Sequence, residues 1–148
     1  DIAASENLFI LVRIPEKFVA DVEVYAELEN LKIRDITLDE IEFSGKAKSV
    51  YVANASGLLE LDTSSNLSVE LNRMKGKIDF NQFHAISRVA FAEDTNLYLK
   101  NAGRFTKFVD KDAKILVGKN NKNEIAAETD LIIELNGWKS EVQIFQTE

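Results

Sequence analysis

The chain has 148 residues, 45% of them hydrophobic, enough for one domain with a sizeable core. Its net charge of -7 argues against the basic patch that a nucleic-acid backbone or an anionic lipid surface requires, so any charged partner is expected to be basic or a divalent cation. With no cysteine and a single histidine, His84, the chain excludes disulfides, thiolate zinc sites, cysteine nucleophiles and histidine-rich metal centres together.

Residues 7–14, NLFILVRI, alternate with apolar side chains on both sides and predict a strand covered on two faces. Pro15, the only proline, ends it by removing a ladder donor. Segment 1–19 is therefore expected to cap one open end of the core. Its apolar run, Leu8 to Val12, is too short to cross a bilayer and has no basic segment before it, so no membrane contact is expected of this segment. Because the sequence begins at Asp1, any export signal or anchor is expected upstream.

From residue 20 to 118 one phrase recurs, an apolar residue, an outward residue and a second apolar residue. It stands at Val22/Val24, Leu31/Ile33, Ile41/Phe43, Val50/Val52, Leu59/Leu61, Val69/Leu71, Ile78/Phe80, Val89/Phe91 and Leu97/Leu99. Such alternation turns one side of a short strand inward. Second copies stand 19 residues apart at Leu31, Val50 and Val69, at Val22 and Ile41, and at Leu59, Ile78 and Leu97, which makes two arms. A third apolar position follows at Ile36, Ala55 and Met74, and then Leu38, Gly57 and Gly76, where glycine suits a corner with positive φ. Leu116 and Leu135 continue the second arm.

Residues 119–124, KNNKNE, read as an exposed turn. In the last stretch Asn136-Gly137 between two apolar strands is a hairpin signal that also falls on the 19-residue grid, so 119–148 is expected to be either a last coil or a capping hairpin, with Trp138 and Phe145 covering the lower end. No segment has sustained three-four apolar spacing, and almost no helix is expected. The predicted fold is all-β, a single β-solenoid with a repeat of about 19 residues, two short strands per coil and about seven coils. Stacked at about 4.8 Å, these make a prism about 34 Å tall.

At Asp62-Thr63-Ser64-Ser65-Asn66 a polar corner lies between two such strands, and Val12-Arg13-Ile14-Pro15 leads into Val22-Glu23-Val24. On these residues the chain resembles the bacterial adhesin family of β-helical domains, whose function is unknown, over about residues 8–145. Only one corner keeps the Thr-Ser-Ser form, and Asn66 stands where the family pattern has glycine. The resemblance implies an extracytoplasmic protein of the cell envelope, exported or tethered, with adhesion by analogy and no catalytic residues to carry over.

The candidate binding residues are the outward ones of the second arm, Glu23, Glu42, Glu60 and Asp79, with Asp21, Glu40 and Asp62 near them. Stacked one per coil, each neighbouring pair costs about 0.9 kcal/mol at the dielectric of water, which a cation or a basic partner would relieve. The plainer reading is a solvated face whose charge keeps sheets apart. Asp110-Lys111-Asp112 is the only close acidic pair in a turn, and it lacks the other ligands of a calcium loop. His84 reads as a corner residue, and Tyr25, Tyr51 and Tyr98 as outward aromatics able to meet a sugar or a protein.

The expectation is thus a non-enzymatic envelope scaffold without cofactor, presenting a sheet face to a protein, glycan or cell-wall partner, with calcium as a candidate ion. The alternative is a self-assembling β-helix whose coils stack end to end. An uncovered apolar end would favour the second, and covers at both ends the first.

Overall fold

A computed structural model describes residues 10–15, 17–18, 20–92, 95–117 and 129–147. Every regular element among them is a strand: β1 (Ala20–Thr63), β2 (Ser68–Phe83), β3 (Ile86–Ala92), β4 (Leu97–Asn101), β5 (Lys107–Val109), β6 (Ile115–Val117), β7 (Leu131–Trp138) and β8 (Glu141–Thr147). The protein is all-β, and its pairing is parallel except between β5 and β6.

Ser49 to Thr63 of β1 pairs with Ser68 to Gln82 of β2, each residue facing one 19 positions on. Within β1 the same step brings Ser49 Oγ to Asn30 Oδ1 at 2.6 Å, and Asn54 Nδ2 to Asp35 Oδ1 at 2.8 Å. Long strands of this kind must bend, and the bends fall on left-handed residues. Asp35, Asn54 and Arg73 have φ of 54°, 51° and 58°. Asp and Asn tolerate this region better than most side chains. Gly57 and Gly76, paired with each other, have φ of 113° and 106°. A Cβ on Gly76 would overlap the backbone of Gly57, so the close approach itself requires glycine.

The inward residues make one core. Phe43, Val52, Leu59, Leu61, Ile78 and Phe80 are fully buried, and parallel register sets Leu59 on Ile78 and Leu61 on Phe80. Ala55 pairs with Met74, both buried, with Ile36 packed against the core at the same corner position. Polar side chains enter this core where the chain turns. Gln82 Nε2 donates to Ser87 Oγ, and Ser87 Oγ also accepts from the Leu67 amide at 3.1 Å.

The strand order departs from the expected succession. β4 does not lie on β2. Instead β7 pairs with β2 on one edge and with β4 on the other, setting Ile133 between Ile78 and Leu99. Likewise β8 lies between β3 and β5. The C-terminal strands are therefore threaded into the stack. Charge gives a reason. Stacked directly at a 19-residue step, Tyr98 would face Asp79 and Lys100 would face Asn81. With β7 in between, Glu134 faces Asp79 on one side and Lys100 on the other, and Lys77 reaches both acids.

Three further expectations are corrected. Residues 10–15 form no strand and leave Ile10, Leu11 and Val12 exposed, so no capping strand covers the core there. A turn closed by the Phe18 amide on the Pro15 carbonyl redirects the chain, and Ile14, Pro15 and Phe18 border an open groove beside Asp35, Asn54 and Arg73. Leu116 does not extend the second arm, because β6 folds back antiparallel on β5 and leaves it exposed. Asn136-Gly137 makes no hairpin. β7 and β8 pair with other strands and not with each other, and Gly137, φ 96°, bends the chain against the Gln82 carbonyl. Trp138 consequently packs at a corner within the stack, 5.0 Å from His84 edge to face, rather than over an end. Phe145, half-buried on β8, pairs with Ala90 of β3 and lies under Arg88. The turn expected at 119–124 lies outside the described residues.

A candidate acidic face

Two-residue periodicity sends Glu60 and Asp62 of β1 to the same side of the sheet, opposite the buried Leu59 and Leu61. Register then places Glu60 beside Asp79 and Asp62 beside Asn81. Ser44 Oγ lies 3.1 Å from Glu42 Oε1 and 3.5 Å from Asp62 Oδ2, which brings Glu42 to the same patch. Glu40 adds a hydrogen bond to Glu60. Tyr25 Oη donates to Glu23 Oε2 at 3.2 Å at the near edge.

This crowding is legible in the protonation of Glu60. Its pKa is pushed up to about 7, first by burial, then by the charges of Asp62 and Asp79, by the hydrogen bond with Glu40 and by the charge of Glu42. Near Glu60, Asp62 Oδ1 is shielded from solvent and has no hydrogen-bond partner among the described residues. The Tyr25 phenol is also raised, by its bond to Glu23 and by the Glu23 charge.

Of the four residues expected to form a column, Glu23, Glu42 and Glu60 lie in this acidic part. Asp79 does not share its character. Lys77 Nζ is 3.2 Å from Asp79 Oδ2, and Asn136 Nδ2 donates to Asp79 Oδ1 at 2.6 Å. One step on, Glu134 is only 7% exposed and is held by Lys77 at 2.7 Å and Lys100 at 3.1 Å. Burial would raise the Glu134 carboxyl, but the hydrogen bonds and charges of the two lysines outweigh it and hold the group below its usual range. Lys77 is raised correspondingly, burial being outweighed by Glu134 and Asp79. The column thus has an unneutralised half and a clamped half.

The clamp on Glu134 was invisible in the sequence because Lys77, Lys100 and Glu134 are 23 to 57 positions apart. A faint signal existed: Glu134 is the one charge within Leu131 to Leu135, and an acid in so apolar a strand needs a cationic partner.

The other candidates resolve into local roles. Asp110 Oδ1 accepts from the amides of Asp112 and Lys114 at 2.9 Å and closes the β5–β6 turn. His84, φ 50°, occupies a corner, where its amide donates to the Trp138 carbonyl and its ring meets the indole. Tyr25 is exposed, while Tyr51 and Tyr98 are half-buried. No group of three or more His, Cys, Asp or Glu side chains among the described residues is arranged to hold a metal ion. No helix among them is long and apolar enough to cross a membrane. The chain matches no family model, no curated protein and no solved structure.

What the face can do chemically follows from its groups. It offers crowded carboxylates on the outside of a sheet, with Ser44 Oγ bonded to Glu42 and Asp62. Such a surface attracts cations and releases or takes up a proton near neutral pH.

Proposed function

We propose that the protein is a non-enzymatic β-solenoid scaffold of the cell envelope that presents its acidic sheet face, centred on Glu42, Glu60 and Asp62, to a basic partner. The observation carrying this reading is the unneutralised half of the carboxylate column. Glu60 titrates near 7 because its neighbours and its burial oppose its charge, and a bound cation would remove that opposition. Support for the solenoid comes from the parallel offsets of 19 between β1 and β2 and 20 between β2 and β3. The envelope setting rests on the resemblance of the polar corner and the lead-in to the adhesin family. Carboxylates lying on the outside of a sheet, rather than facing each other across a cleft, favour binding over glycoside hydrolysis.

Thermal melting with added decalysine or millimolar calcium tests it. Decalysine is expected to raise the melting temperature at low ionic strength. The rise should vanish in molar salt and shrink when Glu42 and Glu60 are both changed to Gln, since exposed charges are screened over about 3 Å at 1 M. A shift with calcium alone would make an ion the ligand. No shift with either would reduce the face to a solubility device and overturn the proposal.

A further inference from the structure

The two ends of the strand stack differ in charge and share unpaired edges. At one end, the first turn of β1, residues 20–37, carries the acids Asp21, Glu23, Glu27, Glu29 and Asp35 against two bases, Lys32 and Arg34, with Glu27 and Glu29 paired to Lys46 and Lys48 of the next turn. Among the described residues nothing pairs with the outer edge of Ala20 to Tyr25, and Val22 and Val24 are only half-buried. At the other end, residues 97–117 carry Lys100, Arg104, Lys107, Lys111 and Lys114 against two acids, Asp110 and Asp112. There β6 covers the outer edge of β5, but among the described residues β4 pairs with β7 alone, and Leu97 and Leu99 are half-buried. Apolar side chains stand exposed near both ends, Phe18 at the first and Phe105, Ile115 and Leu116 at the second.

We infer that these ends dock on each other between copies, the outer edge of Ala20 to Tyr25 adding in parallel to the outer edge of β4 of a second copy. The pairing pattern inside the molecule supplies the register. Column by column, Glu23, Glu42, Glu60, Asp79, Glu134 and Lys100 share one outward position, and Leu99 lies over Ile133 and Ile78. Continuing the column sets Glu23 of one copy beside Lys100 of the next, and Val22 beside Leu99. Lys100 would then bridge Glu134 and Glu23 as Lys77 bridges Asp79 and Glu134. Like ends repel, acid on acid and base on base, so the contact is head to tail. A heterologous contact of this kind leaves a free acidic end and a free basic end on every assembly and grows into open chains. The contact takes Glu23 from the edge of the acidic face and leaves Glu42, Glu60 and Asp62 outside it, so the double change of Glu42 and Glu60 to Gln that tests basic-partner binding should leave it standing.

Light scattering and sedimentation of the whole protein across concentration test it. At low salt the average mass should rise above 16.7 kDa with concentration and keep rising past the dimer. Molar salt should suppress the rise. Glu23→Lys, at an exposed position, should weaken association about tenfold. Lys100→Glu should weaken it too, and an equal mixture of the two variants should recover mixed assemblies that neither forms alone. Recovery on mixing separates a lost contact from the loss of the Lys100 clamp on Glu134. A monomer at every concentration, an assembly that stops at a two-fold dimer, or association unmoved by Glu23→Lys would each overturn the inference.

Discussion

Glu60 shows how a single carboxyl reports its surroundings. Its folded pKa of about 7 stands above the ordinary 4.5, so the folded state holds its proton where the unfolded state has already lost it. Stability from this group falls as pH rises through that window and is lowest above 7. Glu134 and Glu141 act in the opposite sense. Burial alone would raise each, but Lys77 and Lys100 lower the first, and Gln143 and Lys107 the second. Their contribution is present above the ordinary value and is lost as the solution is acidified through the depressed one. The melting temperature should therefore peak in weak acid, near pH 5 to 6 on the order of these shifts. Glu60→Gln should flatten the decline on the neutral side and raise the melting temperature slightly at pH 8, measured by scanning calorimetry across pH. An unchanged slope would place the titration elsewhere.

At the scale of the element, the strands bend because particular positions accept left-handed backbone, and the bends stack. Gly137 is the strictest of them. With φ of 96° and the Gln82 carbonyl against it, Gly137→Ala is expected to lose about 2 to 3 kcal/mol or more in urea denaturation, from strain and from displacement of the neighbouring strand. The corner at Asp35, Asn54 and Arg73 has the same 19-residue step as the arms, yet Arg73 hides it, since arginine has no preference for this geometry. Sequence reading found the glycines beside this corner and missed the corner itself. The strand interiors are better specified. Val69 is 1% exposed and faces Val50 and Val89 on its two sides, so Val69→Asp would bury an unpaired charge. It should cost more than about 4 kcal/mol or abolish folding, read by far-UV dichroism and melting. A harmless Val69→Asp would contradict the inward register directly.

For the whole molecule the decisive feature is where the C-terminal strands go. Leu131, Ile133, Leu135 and Val142 are fully buried, although an end strand would leave one edge of its side chains to solvent. Threading β7 and β8 between earlier strands gives them neighbours on both edges and leaves the shorter β4, β5 and β6 outermost. Pairing over such separations, up to 57 residues between Asp79 and Asn136, is a late and slow kind of contact in folding. The same placement removes the cover that Trp138 was expected to provide. With residues 10–15 also outside any strand, only β6 shields a stretch of edge among the described residues. That is why the ends, and not the faces alone, carry an expectation of assembly.

By itself the sequence determined that the chain is built from strands, which residues point inward between Ile41 and Phe91, and that Leu59 and Ile78, or Val50 and Val69, would meet. Side-chain alternation has a period of two, and one buried face enforces it residue by residue. It also pointed to Glu23, Glu42, Glu60 and Asp79 as outward acids, without showing that Lys77 and Asn136 hold the last of them. The tertiary structure alone decided the order in which strands stack. Leu97 and Leu131 start apolar strands of the same parity, and either could lie on β2 without turning a side chain to the wrong face. Hydrophobic pattern leaves such strands equivalent. What separates them is the pairing of Glu134 with Lys77 and Lys100, a charge balance among strands distant in sequence that exists only once they are adjacent.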